Sequence, residues 1–97
     1  ESPAITLARL LQDDGFDILL YDPQIRLDRM LGSNQEYLAT QLPNVEQILC
    51  ENPQDILENC QMIIICQNHP EFRYIIQAIA TNNLNVVVIN LVDYKLL

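Results

Sequence analysis

Met62-Ile63-Ile64-Ile65-Cys66 runs directly into Gln67-Asn68-His69-Pro70-Glu71-Phe72. Five apolar residues, mostly β-branched, are too short for a helix and suit a strand. An unbroken apolar run of this kind suits a parallel strand covered on both faces. Pro70 fits a first helical position. Phe72, Ile75, Ile76 and Ile79 then recur at helical spacing, which predicts a helix over 70–81. Asn82-Asn83 can supply a left-handed cap. Val86 to Leu91 is a second β-branched run. Strand, helix and strand in that order make a parallel crossover unit.

Upstream, strands and helices also alternate, with no internal repeat. Phe16 to Tyr21 is apolar except at Asp17 and reads as a buried strand over 16–22. Asp22-Pro23 starts a helix that runs to Gly32. Ser33-x-x-Glu36 has the form of a capping box for a short helix to about Gln41, which Leu42-Pro43 stops. Gln47 to Cys50 reads as a short strand. Asn52-Pro53 starts another helix, with Ile56 and Leu57 apolar. At the front, Ser2-Pro3 opens a helix with Ala4, Leu7, Ala8 and Leu11 on one face. Gly15 is its left-handed C-cap. The expected fold is a single α/β domain over 1–97. It is a Rossmann-like three-layer parallel sheet with helices on both faces.

Composition narrows the function. Thirteen acids against five bases give a net charge of −8, and Arg9, Arg26, Arg29, Arg73 and Lys95 are scattered. Nucleic acid needs clustered cations, so it is not an expected partner. No apolar run approaches the ~20 residues of a membrane span, and no membrane partner is expected. No signal-peptide pattern is visible. A chain that opens at Glu1, without Met and inside a helix-start motif, is expected to be a piece of a longer protein. Cys50, Cys60 and Cys66 are spaced by ten and six, which matches no zinc pattern. Buried free thiols in a reducing, cytoplasmic setting are the expectation, with no metal site.

Three residues stand where ligands bind in α/β folds. Asp22 ends a strand, where dinucleotide folds place a ribose-binding acid. That reading normally needs a glycine-rich loop about 20 residues earlier. The only glycines are Gly15 and Gly32, and neither joins a strand to a helix. Capping of the Pro23 helix is the favoured alternative. Asn68 and His69 follow the 62–66 strand on the edge where such sheets bind ligands. They also read simply as a helix start. A phosphorylatable receiver domain fails on geometry, because Asp13-Asp14 precede a strand instead of following one. The four tyrosines form no stripe and are expected to pack.

The order of these segments resembles the C-terminal domain of the nucleotide-sugar dehydrogenases that oxidise UDP-glucose or GDP-mannose. Glu1-Ser2-Pro3 with Leu7, Leu10 and Leu11 resembles that family's first C-domain helix. Tyr21-Asp22-Pro23 after Gly15 and an apolar strand resembles its "YDP" turn. Cys66 through Phe72 resembles its strand-to-helix segment. Gly32-Ser33-Asn34-Gln35-Glu36-Tyr37-Leu38, followed by Leu42-Pro43-Asn44, is most similar to the GDP-mannose 6-dehydrogenase branch, departing at Ser33, Gln35 and Asn44. Asn90 departs too, where an acid often follows the last strand.

The resemblance implies an NAD-dependent, two-step oxidation of a sugar C6 alcohol to a carboxylate, feeding polysaccharide synthesis. It implies a homo-oligomeric parent that binds GDP-mannose or UDP-glucose. It implies that the nucleophile and dinucleotide loop lie elsewhere in that parent. The three cysteines match no catalytic motif, and no cofactor is expected for this chain alone. Glu1 and Ser2 adjoin the site by position only, and Asp22, Asn68 and His69 are candidate substrate contacts. The family sheet has five strands in the order 3-2-1-4-5. Its first, central strand precedes Glu-Ser-Pro, so this chain is expected to lack it. The rival class is a free-standing α/β interaction or regulatory domain.

Overall fold

The computed structural model describes residues 3–25, 32–82 and 85–92. The chain forms two compact units, Glu1–Glu51 and Asn52–Leu97.

In the first unit, α1 spans Pro3–Asp13. Its buried face carries Ile5 and Ala8, whereas Leu7 and Leu11 are only half-buried. The expected face is thus rotated, because α1 packs against α2, which spans Gly32–Gln41. Gly15 ends α1 as expected, with φ +92°. Its N–H bonds the Gln12 carbonyl at 2.9 Å, and the Phe16 N–H bonds the Leu11 carbonyl at 3.0 Å. This paired arrangement is the Schellman motif, which needs a left-handed residue at that position. α2 already includes Gly32, so Ser33 lies within its first turn and not before it. The chain then turns at Leu42, whose N–H bonds the Leu38 carbonyl at 2.7 Å and whose side chain is fully buried. The core of this unit is Ile5, Ala8, Leu38, Leu42, Val45 and Ile48.

Two expected strands are corrected here. Val45–Ile48 forms a one-turn helix, α3, where a strand over 47–50 was expected. The Asn44 carbonyl accepts the Gln47 N–H at 2.9 Å, and the turn buries Val45 and Ile48 together. A three-residue spacing puts both on one helical face, which a strand cannot do. The 16–22 strand reduces to one parallel bridge, Leu20 with Leu49. It is made by Leu20 N–H to Ile48 O at 2.8 Å and Cys50 N–H to Leu20 O at 2.7 Å. Phe16 is 58% exposed, so the run is not covered along its length. After it, Ile25 N–H bonds the Asp22 carbonyl at 3.1 Å in a turn at Pro23-Gln24. The helix expected on to Gly32 falls on 26–31, outside the described residues.

The second unit is more regular. α4 spans Pro53–Asn59, β1 Met62–Ile65, α5 Pro70–Thr81 and β2 Val87–Asn90. β1 and β2 pair in parallel with Met62 opposite Val87 and Ile65 opposite Asn90. Ile63, Ile65 and Ile79 form the core, with Ile56, Leu57, Phe72, Ile75 and Val88 packed around it. Side chains alternate across a sheet, so Ile63 and Ile65 share its covered face. Met62 and Val87 lie on the other face and stay 51% and 57% exposed. The expectation of strands covered on both faces is therefore corrected at these two positions. Asn82 is also not left-handed, at φ −94°. It closes α5 by donating both its backbone N–H and its side-chain amide to the Ala78 carbonyl, at 3.1 and 2.9 Å. Asn83 lies outside the described residues. The result is an α/β fold with a parallel pair of strands, that of a Rossmann-like domain lacking some of its strands.

Candidate functional site

Three segments share one local device: a polar residue, a proline, and a backbone N–H held by the polar side chain. Asp22 Oδ1 accepts the Gln24 N–H at 2.8 Å. Asn52 Oδ1 accepts the Gln54 N–H at 2.9 Å. His69 Nδ1 accepts the Glu71 N–H at 3.1 Å. The physical cause is common to all three. A residue before proline is pushed to extended backbone. Asn52 and His69 show it, at φ −124°, ψ 125° and φ −120°, ψ 135°. That conformation is the one an N-cap needs to reach forward to an orphan N–H. Proline next to it donates no hydrogen bond, so the first N–H to be satisfied is two residues on.

Two of the candidate ligand contacts are thus engaged in caps and turns. Asp22 is half-buried in the first unit. His69 is half-buried at the start of α5, with its ring centroid 5.5 Å from that of Phe72 and tilted by 50°. Because Nδ1 accepts, the neutral ring carries its proton on Nε2. Asn68 is exposed in the β1–α5 loop. It adjoins His69 in the chain, while Asp22 belongs to the other unit. Glu1 and Ser2 lie outside the described residues.

The thiols do not form a centre. Cys50 and Cys60 are half-buried and Cys66 is exposed, which corrects the expectation that all three are buried. Cys66 follows the last residue of β1, past the end of the covered face. Desolvation pushes the thiols of Cys60 and Cys66 above their ordinary value. A raised thiol is protonated at neutral pH and a poor nucleophile. Among the described residues no group of three or more His, Cys, Asp and Glu could hold a metal ion.

One feature has no counterpart in the sequence reading. Pro3, Thr6, Leu7 and Leu10 line a shallow apolar depression of about 540 Å³ along α1. The helical spacing of Ala4, Leu7, Ala8 and Leu11 puts Leu7 on the core face instead. The signal that could have found the depression is the 3-6-7-10 spacing, a second helical stripe beside the buried one.

Comparison with known proteins assigns the chain more sharply than this geometry does. The family model described as "UDP-glucose/GDP-mannose dehydrogenase family, UDP binding domain" matches residues 1–94. The GDP-mannose 6-dehydrogenase of Pseudomonas putida is 30% identical over 73 residues, covering 75% of this chain and 17% of that protein. That of Pseudomonas syringae pv. tomato is 29% identical over 73 residues, with the same coverage. That of Azotobacter vinelandii is 26% identical over 72 residues, covering 74% and 16%. The chain spans less than a fifth of the length of these relatives. No solved structure matches it. The chain belongs to the UDP-glucose/GDP-mannose dehydrogenase family and corresponds to its UDP-binding domain.

Proposed function

We propose that residues 1–97 act as one C-terminal nucleotide-sugar-binding domain of a longer, NAD-dependent GDP-mannose 6-dehydrogenase. The observation that carries this is the family match over 1–94, joined to relatives that are GDP-mannose 6-dehydrogenases. In this reading the domain closes one wall of a nucleotide-sugar cleft. NAD binding, the nucleophile and the hydride transfer are supplied by the rest of the polypeptide, which acts in the cytoplasm as a homo-oligomer and feeds polysaccharide synthesis.

The chain's own chemistry supports a binding role and not a reacting one. The thiols of Cys60 and Cys66 are pushed up, and the His69 Nδ1 lone pair is committed to a backbone N–H. The exposed Asn68 amide beside the start of α5 offers donors and an acceptor to a ribose or a base edge. UDP-glucose is the competing substrate, favoured by the family description of a UDP-binding domain. The test is NADH formation by the full-length protein with each nucleotide sugar. Turnover of GDP-mannose at a kcat/KM about tenfold or more above that for UDP-glucose, a gap of about 1.4 kcal/mol, supports the reading. Preference for UDP-glucose moves the protein to the other branch, and turnover of neither overturns the dehydrogenase assignment.

A further inference from the structure

The depression on α1 has a polarity along its length. Its apolar floor is Pro3, Leu7 and Leu10, and Leu10 is 52% exposed. The C-terminal end is acidic. Asp13, Asp14 and Asp17 are all exposed. The Asp14 N–H bonds the Leu10 carbonyl at 3.1 Å, so the helical turn continues and both Asp13 and Asp14 stand one turn beyond Leu10. The last turn of α1 has no basic residue. Arg9 reaches Asp13 at 3.4 Å in an exposed pair, which contributes little in water. The negative end of the helix dipole adds to the same field.

We propose that this face docks an amphipathic helix of a partner protein segment, with an apolar stripe over Pro3, Leu7 and Leu10 and Lys or Arg residues set against Asp13 and Asp14. The 3-7-10 spacing matches the i, i+3, i+4, i+7 anchors by which one helix lies along another. Charge decides the occupant. A second copy of this chain does not fit. Aligned in parallel, it would bring Asp13 and Asp14 onto themselves. Aligned antiparallel, it would offer them Pro3, Ala4, Ile5 and Thr6, which carry no positive charge. A helix with a basic end satisfies both the stripe and the acids.

Two labelled helical peptides test this. Both carry leucines at i, i+3, i+4 and i+7; one ends in a turn of lysines, the other in a turn of glutamates. Binding to the full-length protein that contains residues 1–97 is read by fluorescence anisotropy at low and high salt. The lysine peptide should bind and weaken with salt, and the glutamate peptide should not bind. Leu10→Asp separates docking from plain attraction between opposite charges. It makes the acidic chain more acidic at an exposed position, so non-specific attraction would rise. Docking predicts instead a loss of about tenfold or more in affinity, the scale of a lost apolar anchor. The double variant Asp13→Asn, Asp14→Asn should weaken binding and flatten its salt dependence. Equal binding of both peptides, unchanged or tighter binding by Leu10→Asp, or a concentration-dependent dimer that Leu10→Asp disperses would each overturn the proposal.

Discussion

His69 Nδ1 holds the Glu71 N–H at 3.1 Å, and so the only histidine of the chain is the N-cap of α5. The same geometry at Asn52-Pro53-Gln54 shows what the position requires: an acceptor two residues before a backbone N–H, on extended backbone. His69→Asn should therefore leave the urea midpoint unchanged or raise it. His69→Ala should lower stability by about 1 kcal/mol, the usual cost of a lost N-cap. The pair also separates two roles in the longer dehydrogenase proposed above. If His69 is only a cap, His69→Asn keeps its activity. A stable His69→Asn enzyme with a raised KM would make His69 a substrate contact as well.

Proline explains why the second unit was easier to read than the first. Asn52-Pro53 and His69-Pro70 fix helix starts through local sterics, and Met62–Ile65 is apolar enough to pair wherever a partner strand exists. These features need no information from distant residues. Residues 16–22 and 47–50 were read as strands on the same local evidence, but a strand also needs a ladder partner, and that is not local. Leu20 and Leu49 find one bridge between them, while Val45 and Ile48 gain more by entering the Leu42 core on one helical turn. Of the candidate site, the turn positions of Asp22 and His69 were legible, because Asx-Pro and His-Pro announce caps. The α1 depression was not, because Leu7 suits a core face and a surface stripe equally well by spacing.

Leu42 is the tightest point of the first unit, with no exposed surface, and it joins α2 to α3. Leu42→Ala should cost about 2–5 kcal/mol through lost burial and the cavity left behind. Small domains have only about 5–15 kcal/mol in all. Urea unfolding of the variant should show a midpoint lowered accordingly. A change within about 0.5 kcal/mol, the range of ordinary surface sites, would mean that this core is not formed as described.

Gly15 has φ +92° and nothing within 4 Å of the place a Cβ would occupy. Space is therefore not the constraint there, and backbone conformation is. Gly15→Ala should destabilise by about 1–2 kcal/mol, the cost of left-handed backbone for a residue with a Cβ. Gly15→Asn should cost less, since asparagine tolerates that region. Equal effects for the two would contradict the Schellman closure of α1.

The thiols give a pH test. Desolvation favours the neutral thiol in Cys60 and Cys66, so their folded values lie above the ordinary 9.0. A raised value means that the folded chain holds these protons longer than the unfolded chain does. Stability from this source is present below about pH 9, near the unfolded thiol value, and is lost as pH rises through the folded values. Iodoacetamide at pH 7 should accordingly modify Cys66 more slowly than an unstructured cysteine peptide, although Cys66 is exposed. Rates should converge as the chain is unfolded in urea. Faster modification in the folded state would indicate an activated thiol and reopen a chemical role for it.

The sharpest consequence of the proposed function concerns the chain alone. A cleft shared between domains loses most of its contacts and its burial when one wall is isolated. In this chain the Asp22 and His69 side chains already accept the backbone N–H groups of Gln24 and Glu71, and the sequence holds no glycine-rich phosphate-loop motif. Calorimetry with GDP, UDP and NAD should therefore show nothing tighter than about millimolar, near −4 kcal/mol. NADH formation from GDP-mannose or UDP-glucose should stay at background. Micromolar binding of one nucleotide by residues 1–97 would mean that the domain carries a complete site, and the exposed Asn68 at the mouth of the β1–α5 loop would be the first residue to replace. Turnover by the chain alone would go further and locate the reacting groups here, against the raised thiols and the engaged imidazole.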